Sequence, residues 1–227
     1  MKITYYGHSS FGVEIEGKHL VFDPFISPNP KASGIDIHSI PCDYLLVSHA
    51  HQDHMVDVEA IAKRTGAKLI ANYEVATWFG GQGVENIVPL NQGGFLHTEF
   101  GQVKVVNAIH SSSFPNGSYG GNPVGFVVKT EDATFYYSGD TALTYDMKLI
   151  NEEFDIDFAF LCIGDHFTMG VYDAAKAAEF VGTDQVIGMH FDTFPRIEIN
   201  HAGAKATFEQ QGKNLILPEI GKSYQLP

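Results

Sequence analysis

Six consecutive residues, His49-Ala50-His51-Gln52-Asp53-His54, constrain this chain more than any other stretch. From the chain's own residue frequencies, this pattern of three histidines and one aspartate is expected by chance on the order of 0.002 times, so it demands a chemical reason. It follows the apolar run Tyr44–Val47, which has the form of a buried strand, and precedes apolar residues at near-helical spacing over 56–64, where Gly66 supplies a stop signal. Imidazoles at i and i+2 of an extended segment point the same way and can share a metal. The Asp and His at the turn into the helix can face a second one. Imidazole and carboxylate together suit Zn²⁺, Mn²⁺ or Fe²⁺ better than Ca²⁺ or Mg²⁺.

The rest of the chain supplies a scaffold for such a loop. Short β-patterned runs at 3–6, 11–15 and 19–22 read as a meander, and 68–71 as a further strand. Runs at 87–90, 103–109 and 125–128 read as another sheet in the middle of the chain, followed by a run at 134–137. From there helix and strand alternate: helices at 145–154, 174–181 and 202–211, strands at 158–163, 186–189 and 215–217. No linker-like or low-complexity segment divides the 227 residues. The order predicts two similar halves with strands inside and helices outside, a single four-layer α/β domain over 1–227. A chain of this length buries a sufficient core unaided, so a metal site here is functional before it is structural.

Beyond the loop, the chain resembles the metallo-β-lactamase superfamily, whose metal loop has this HxHxDH pattern. Three further residues carry the resemblance: His110 after the strand 103–109, Asp140 in Tyr137-Ser-Gly-Asp-Thr, and His190 in Gly188-Met-His-Phe-Asp. The resemblance implies a four-layer αββα sandwich of two mixed sheets flanked by helices. It assigns His49, His51 and His110 to one metal, Asp53, His54 and His190 to the other, and Asp140 between them. Within the superfamily, Gly7-His-Ser-Ser-Phe, Val21-Phe-Asp-Pro-Phe, His166-Phe-Thr-Met-Gly and Met189-His-Phe-Asp-Thr-Phe-Pro are similar to the small metal-dependent hydrolases related to the ascorbate-6-phosphate lactonases. There is no room for the inserted cap of the superfamily's nucleic-acid enzymes. Position 51 is His where its flavodiiron oxygen reductases have Glu, and no flavodoxin-like domain follows.

The ligand set implies chemistry. Two divalent cations, Zn²⁺ with Mn²⁺ or Fe²⁺ as alternatives, would hold a bridging hydroxide at neutral pH and polarise a small ester, lactone or phosphodiester. No side-chain nucleophile is needed, and there is no GxSxG. Asp53 on the metals and His166 as proton donor are the catalytic candidates. His8, Asp165 and Arg196 are candidates for substrate contact. Asp23 would orient a ligand imidazole or else start the turn at Pro24, and Asp57 would do the same or stabilise a helix start. The segment 111–123, rich in Ser, Gly and Asn, has the composition of a flap or of a passive connection. The same ligands would serve a di-iron redox protein or a non-catalytic metal or metabolite sensor.

Charge narrows the partners. Fourteen Lys and Arg against 27 Asp and Glu leave a net charge of −13, which repels phosphate backbones and anionic lipid. A small-molecule substrate is therefore expected, with no nucleic acid and no membrane. Self-association stays open. The two cysteines, Cys42 and Cys162, read as reduced packing residues, and the N-terminus lacks the apolar stretch of a secretory signal, so the expected location is cytoplasmic.

Overall fold

The computed structural model describes residues 1–226. The chain opens with the expected meander, β1 (Lys2–Gly7), β2 (Ser10–Ile15) and β3 (Lys18–Phe22). It continues through β4 (Tyr44–Val47), α1 (Gln52–Met55), α2 (Val58–Thr65), β5 (Lys68–Ala71), α3 (Tyr73–Gly81) and β6 (Ile87–Pro89). The second half runs β7 (Phe95–Thr98), β8 (Gly101–Asn107), β9 (Val124–Lys129), β10 (Thr134–Tyr137), α4 (Met147–Glu153), β11 (Phe158–Cys162), α5 (Val171–Val181) and β12 (Gln185–Met189). It closes with α6 (His201–Gln210), β13 (Asn214–Ile216) and β14 (Ser223–Gln225).

Two seven-stranded mixed sheets result, in the orders β14-β1-β2-β3-β4-β5-β6 and β13-β12-β11-β10-β9-β8-β7. In each, the strands from the meander are antiparallel and those reached through helices are parallel. That is the predicted likeness of the two halves. The strands buried on both faces, β4, β10 and β11, are the continuous apolar runs that the sequence showed. The sheets meet through aromatic rings. Phe22 lies 4.7 Å from Tyr137, and Phe11 lies 4.5 Å from Phe160, between ring centroids. Burying each such ring stabilises by roughly 1.5–3 kcal/mol. The helices α2 and α3 cover the outer face of the first sheet, and α4, α5 and α6 cover that of the second.

The run at 87–90, read with the sheet of the middle of the chain, is β6 at the edge of the first sheet, paired in parallel with β5, and several boundaries also differ from expectation. The helix read over 56–64 is α2 (Val58–Thr65), ended by Gly66 with a left-handed φ of 71°, and an unexpected short helix, α1, precedes it within the histidine loop. The strand expected over 103–109 stops at Asn107, so His110 stands in a loop rather than at the strand end. Segment 111–123 is no free flap. Phe114 stacks on Trp78 at 4.2 Å, Ser113 bridges Tyr119, and the Asn72 amide donates to the carbonyls of Gly120 and Asn122. Both cysteines are buried and unpaired, and among the described residues no helix is long and apolar enough to cross a membrane.

Candidate metal centre

Strands β1, β3, β4, β8, β10, β11 and β12 all end at one edge of the sandwich, because within each sheet they run in the same direction. The chemistry-bearing residues follow those ends. His8 comes after β1, Asp23 after β3, residues 48–54 after β4, His110 after β8, Asp140 after β10 and His190 after β12. Two positions show what this convergence requires. Gly139 has a φ of 57°, and a β-carbon there would meet Ser48 at 2.7 Å; a β-carbon at Gly164 would meet the carbonyl oxygen of His190 at 2.0 Å.

The imidazoles fall into two groups. The nitrogens of His49, His51 and His110 lie within 4.8 Å of one another, as do the ligand atoms of His8, Asp53, His54 and His190. Asp140 stands between them. Its Oδ2 is 4.0 Å from His49 Nε2 and 3.6 Å from His110 Nε2 on one side, and 3.3 Å from His54 Nε2 and 3.0 Å from His190 Nε2 on the other. The seven residues singled out in the sequence lie together at this edge; His8 joins Asp53, His54 and His190, and the ligand atoms of Asp23, His49 and His54 form a third cluster that links the two groups.

The outward-facing nitrogens are held. Asp23, fully buried, accepts from His54 Nδ1 (2.8 Å), the Ser48 amide (2.7 Å), Ser48 Oγ (2.6 Å) and Tyr137 Oη (2.8 Å). Ser48 Oγ in turn meets His49 Nδ1 at 2.9 Å, and Ser111 Oγ meets His51 Nε2 at 3.3 Å. One carboxylate thus fixes one imidazole in each group, leaving the opposite ring nitrogen facing inward. His54 Nε2, Asp140 Oδ1 and His190 Nδ1 are buried without a hydrogen-bond partner. Buried orphans cost roughly 1–3 kcal/mol each. An electron-pair acceptor at the centre would satisfy the inward-facing nitrogen and oxygen atoms together, so the residues fit divalent metal ions.

Electrostatics divide the two groups. Burial, together with the neighbouring imidazoles, lowers His49 well below the ordinary histidine value, and His51 and His110 are lowered chiefly by burial. Burial also works on His54, but the Asp140 and Asp23 carboxylates outweigh it and hold that imidazole well above its usual range. Asp140 is the counterpart: burial alone would raise it, yet His190 and His54 hold it well below the usual carboxylate range. In the metal-free protein at pH 7, His54 is therefore protonated and the other group neutral. Coordination needs a neutral ring. At pH 7, loading the Asp53, His54 and His190 group must displace the His54 proton, over and above the proton given up when coordinated water ionises, and this contribution shrinks as pH rises through the His54 value. Calorimetry of metal binding in buffers of different ionisation enthalpy reads this directly; a heat independent of buffer at pH 7 would contradict it.

The surrounding candidates are placed as follows. His8 is fully buried. Burial and His190 lower it to about 4, against the pull of Asp53, and both its nitrogens are engaged, Nε2 with Asp53 Oδ2 (3.1 Å) and Nδ1 with Thr193 Oγ1 (2.9 Å). It faces the metal groups rather than an open cleft. Asp57 stands at the N-cap of α2 without a side-chain cap hydrogen bond; its Oδ2 accepts from the amides of Ile26 (2.7 Å) and Ser27 (2.9 Å), tying the Pro-rich loop to α2. The Asp165 side chain lies on Gly170, and its carbonyl closes a tight turn with the Thr168 amide at 3.2 Å. His166 is exposed, and its Nε2 accepts from Arg196 Nη1 at 3.1 Å. A cleft of about 480 Å³ opens beside the second group, lined by Asp53, Phe167, His190, Phe194, Pro195 and Arg196. Ser48, Tyr137 and Thr193 went unnoticed in the sequence. Ser48 precedes His49 directly, which was a usable signal, but only the stacking of the sheets brings Tyr137 to Asp23.

Residues 2–190 match the model of a family described as the beta-lactamase superfamily domain. A protein of Flavobacterium johnsoniae named as a metal-dependent hydrolase is 52% identical over 226 residues, spanning 100% of both chains. Among solved structures, a metallo hydrolase from the hyperthermophilic archaeon Ignicoccus hospitalis superposes with a TM-score of 0.88 at 29% identity, over 100% of this chain and 99% of that one. The metallo-beta-lactamase fold protein YhfI of Bacillus subtilis shares the fold alone, with a TM-score of 0.76 at 13% identity over 98% of each chain.

Proposed function

The chain belongs to the beta-lactamase superfamily, and on that premise we propose that it is a metal-dependent hydrolase, holding two divalent cations and cleaving a small ester, lactone or phosphodiester. His49, His51 and His110 would hold one ion, and Asp53, His54 and His190 the other, with Asp140 shared. The observation that carries the reading is the position of Asp140 Oδ2, within 3.0–4.0 Å of four imidazole nitrogens drawn from three separate segments. Zn²⁺ fits the mixed imidazole and carboxylate donors, as do Mn²⁺ and Fe²⁺. When bound, such ions lower the pKa of coordinated water to about 7 and polarise a carbonyl or phosphoryl oxygen.

The chain's own residues do the positioning. Asp23 and Ser48 fix the tautomers of His54 and His49 through their Nδ1 atoms. His8, kept neutral, donates from Nε2 to Asp53 and accepts from Thr193, so it aims the Asp53 carboxylate instead of meeting substrate. His166 Nε2 is occupied by the Arg196 guanidinium, so any proton it gives a leaving group must come from Nδ1. The acidic balance of the chain supports a small-molecule substrate without a nucleic-acid partner, and the two buried, unpaired cysteines support a cytoplasmic location for this single domain over 1–227.

His51→Ala tests the reading. His51 is half-buried and contributes little to the core, so the fold should persist while hydrolysis falls at least about 100-fold. A panel of chromogenic phosphodiesters, esters and lactones on the wild-type protein, repeated on this variant, identifies the bond cleaved. Unchanged turnover in the variant at the wild-type metal load would overturn the assignment.

A further inference from the structure

We propose that the cleft selects substrates bearing a second, anionic group joined to the scissile ester or lactone by a short apolar segment, with Arg196 receiving the anion and Phe194 and Phe167 flanking the segment. This rests on the hydrolase reading and specifies its substrate class.

The chain has two arginines, and they are used differently. Arg64 donates through Nη2 to the carbonyls of Ile37 (3.0 Å) and Ile40 (2.6 Å), tying a loop to α2. Arg196 lines the cleft, and among the described residues it makes no ion pair with a carboxylate. Its one side-chain bond is to His166 Nε2. An imidazole nitrogen that accepts from a guanidinium is unprotonated, so this contact orients the fork without cancelling its charge. In a chain with a net charge of −13, a positive group left without an acid beside the proposed active site is a place for an incoming anion.

The loop that carries Arg196 is braced. The Asp192 amide donates to the Ile197 carbonyl (2.8 Å), Asp192 Oδ1 accepts from the Ile199 amide (3.0 Å), and Asp192 Oδ2 meets His201 Nε2 at 2.6 Å. Lys31 Nζ, 161 positions away along the chain, donates to the Asp192 carbonyl. On both loops at this rim, non-glycine residues hold left-handed backbone, with φ of 60° and 52° at Asp165 and His166 and of 57° and 59° at His190 and Asp192. Conformations of that kind persist only where the surroundings enforce them.

The cleft runs from Asp53 and His190, which belong to the metal groups, to Arg196, with Phe194 and Phe167 among its walls. Phe167 is 52% exposed, a large apolar surface left open where a ligand would cover it. Its volume of about 480 Å³ lies in the range of small-molecule sites. Hydrolysis adds water across the scissile C–O bond, giving an acid and an alcohol, and the distal anion passes through unchanged.

The test pairs two esters of nearly equal shape, mono-4-nitrophenyl adipate and 4-nitrophenyl 6-methylheptanoate, whose spacer is too long for the free carboxylate to attack its own ester readily, with the wild-type metalloprotein, R196Q and R196K. The wild type should prefer the adipate at least about tenfold in kcat/KM, mainly through KM; R196Q should bring the ratio near one, and R196K should restore part of it. Binding of phenylmethanesulfonate, a poor metal ligand, is measured alongside by calorimetry and should weaken at least about tenfold in R196Q. Equal use of both esters, with sulfonate bound alike by wild type and R196Q, overturns the anion subsite and leaves the hydrolase standing. Sulfonate binding that depends on Arg196, with neither ester cleaved, upholds the subsite and counts against ester hydrolysis.

Discussion

Asp140→Asn is expected to reduce hydrolysis by roughly three orders of magnitude and to leave fewer than two metal ions per chain. Asparagine matches the side chain in size, so the effect isolates the charge. Asp140 is 2% exposed, and its Oδ2 stands between both imidazole groups, closest to His190 Nε2 at 3.0 Å. A neutral amide there removes the one anion common to the two sets. Loss of roughly 4 kcal/mol of transition-state stabilisation corresponds to about 10³ in rate. The same substitution withdraws the stronger of the two carboxylate influences that raise His54. The proton released on metal loading should shrink with it, even though Asp23 remains. A variant that keeps two ions and wild-type turnover would remove Asp140 from the centre.

Asp23→Asn is expected to cause the largest loss of stability of the site substitutions, together with a 10–100-fold loss of metal affinity. The Asp23 carboxylate is fully buried and accepts four hydrogen bonds from Ser48, His54 and Tyr137. An amide turns one acceptor into a donor facing donors. Leaving buried partners unsatisfied costs about 3 kcal/mol, which for a domain of this size lowers Tm by roughly 6–12 °C. Both His54 and, through Ser48, His49 lose their fixed tautomer, so both metal groups loosen together. Thermal unfolding of the metal-free variant separates the two effects. A Tm shift without a change in affinity would make Asp23 merely a structural acid.

Much of this arrangement was legible in the sequence, for physical reasons. Strands buried on both faces, such as Tyr44–Val47 and Thr134–Tyr137, write themselves as unbroken apolar or aromatic runs. The edge strands Phe95–Thr98 and Ser223–Gln225 were missed because they are short and half-exposed, with pairing supplied by a neighbour rather than by their own composition. The helix Tyr73–Gly81 ends in two glycines and is recognisable chiefly by its Asn72 cap, whose side chain accepts from the Val75 amide. At the site, His49, His51, Asp53 and His54 declared themselves by spacing, and His110, Asp140 and His190 through the family resemblance. The contacts that orient them did not, because His8 and Asp53 are 45 positions apart, and Asp23 and Tyr137 are 114 apart. Asp57 shows the converse: its position at a helix start suggested a local role, and its hydrogen bonds go to a distant loop.

The most direct test of the account is a metal titration of the metal-free protein, in which bound metal per chain and hydrolysis are measured on the same samples. The account predicts about two equivalents of Zn²⁺, Mn²⁺ or Fe²⁺, with turnover reaching its maximum only as the second is filled. Failure to retain any metal under replete conditions, or full turnover in the metal-free protein, would contradict it.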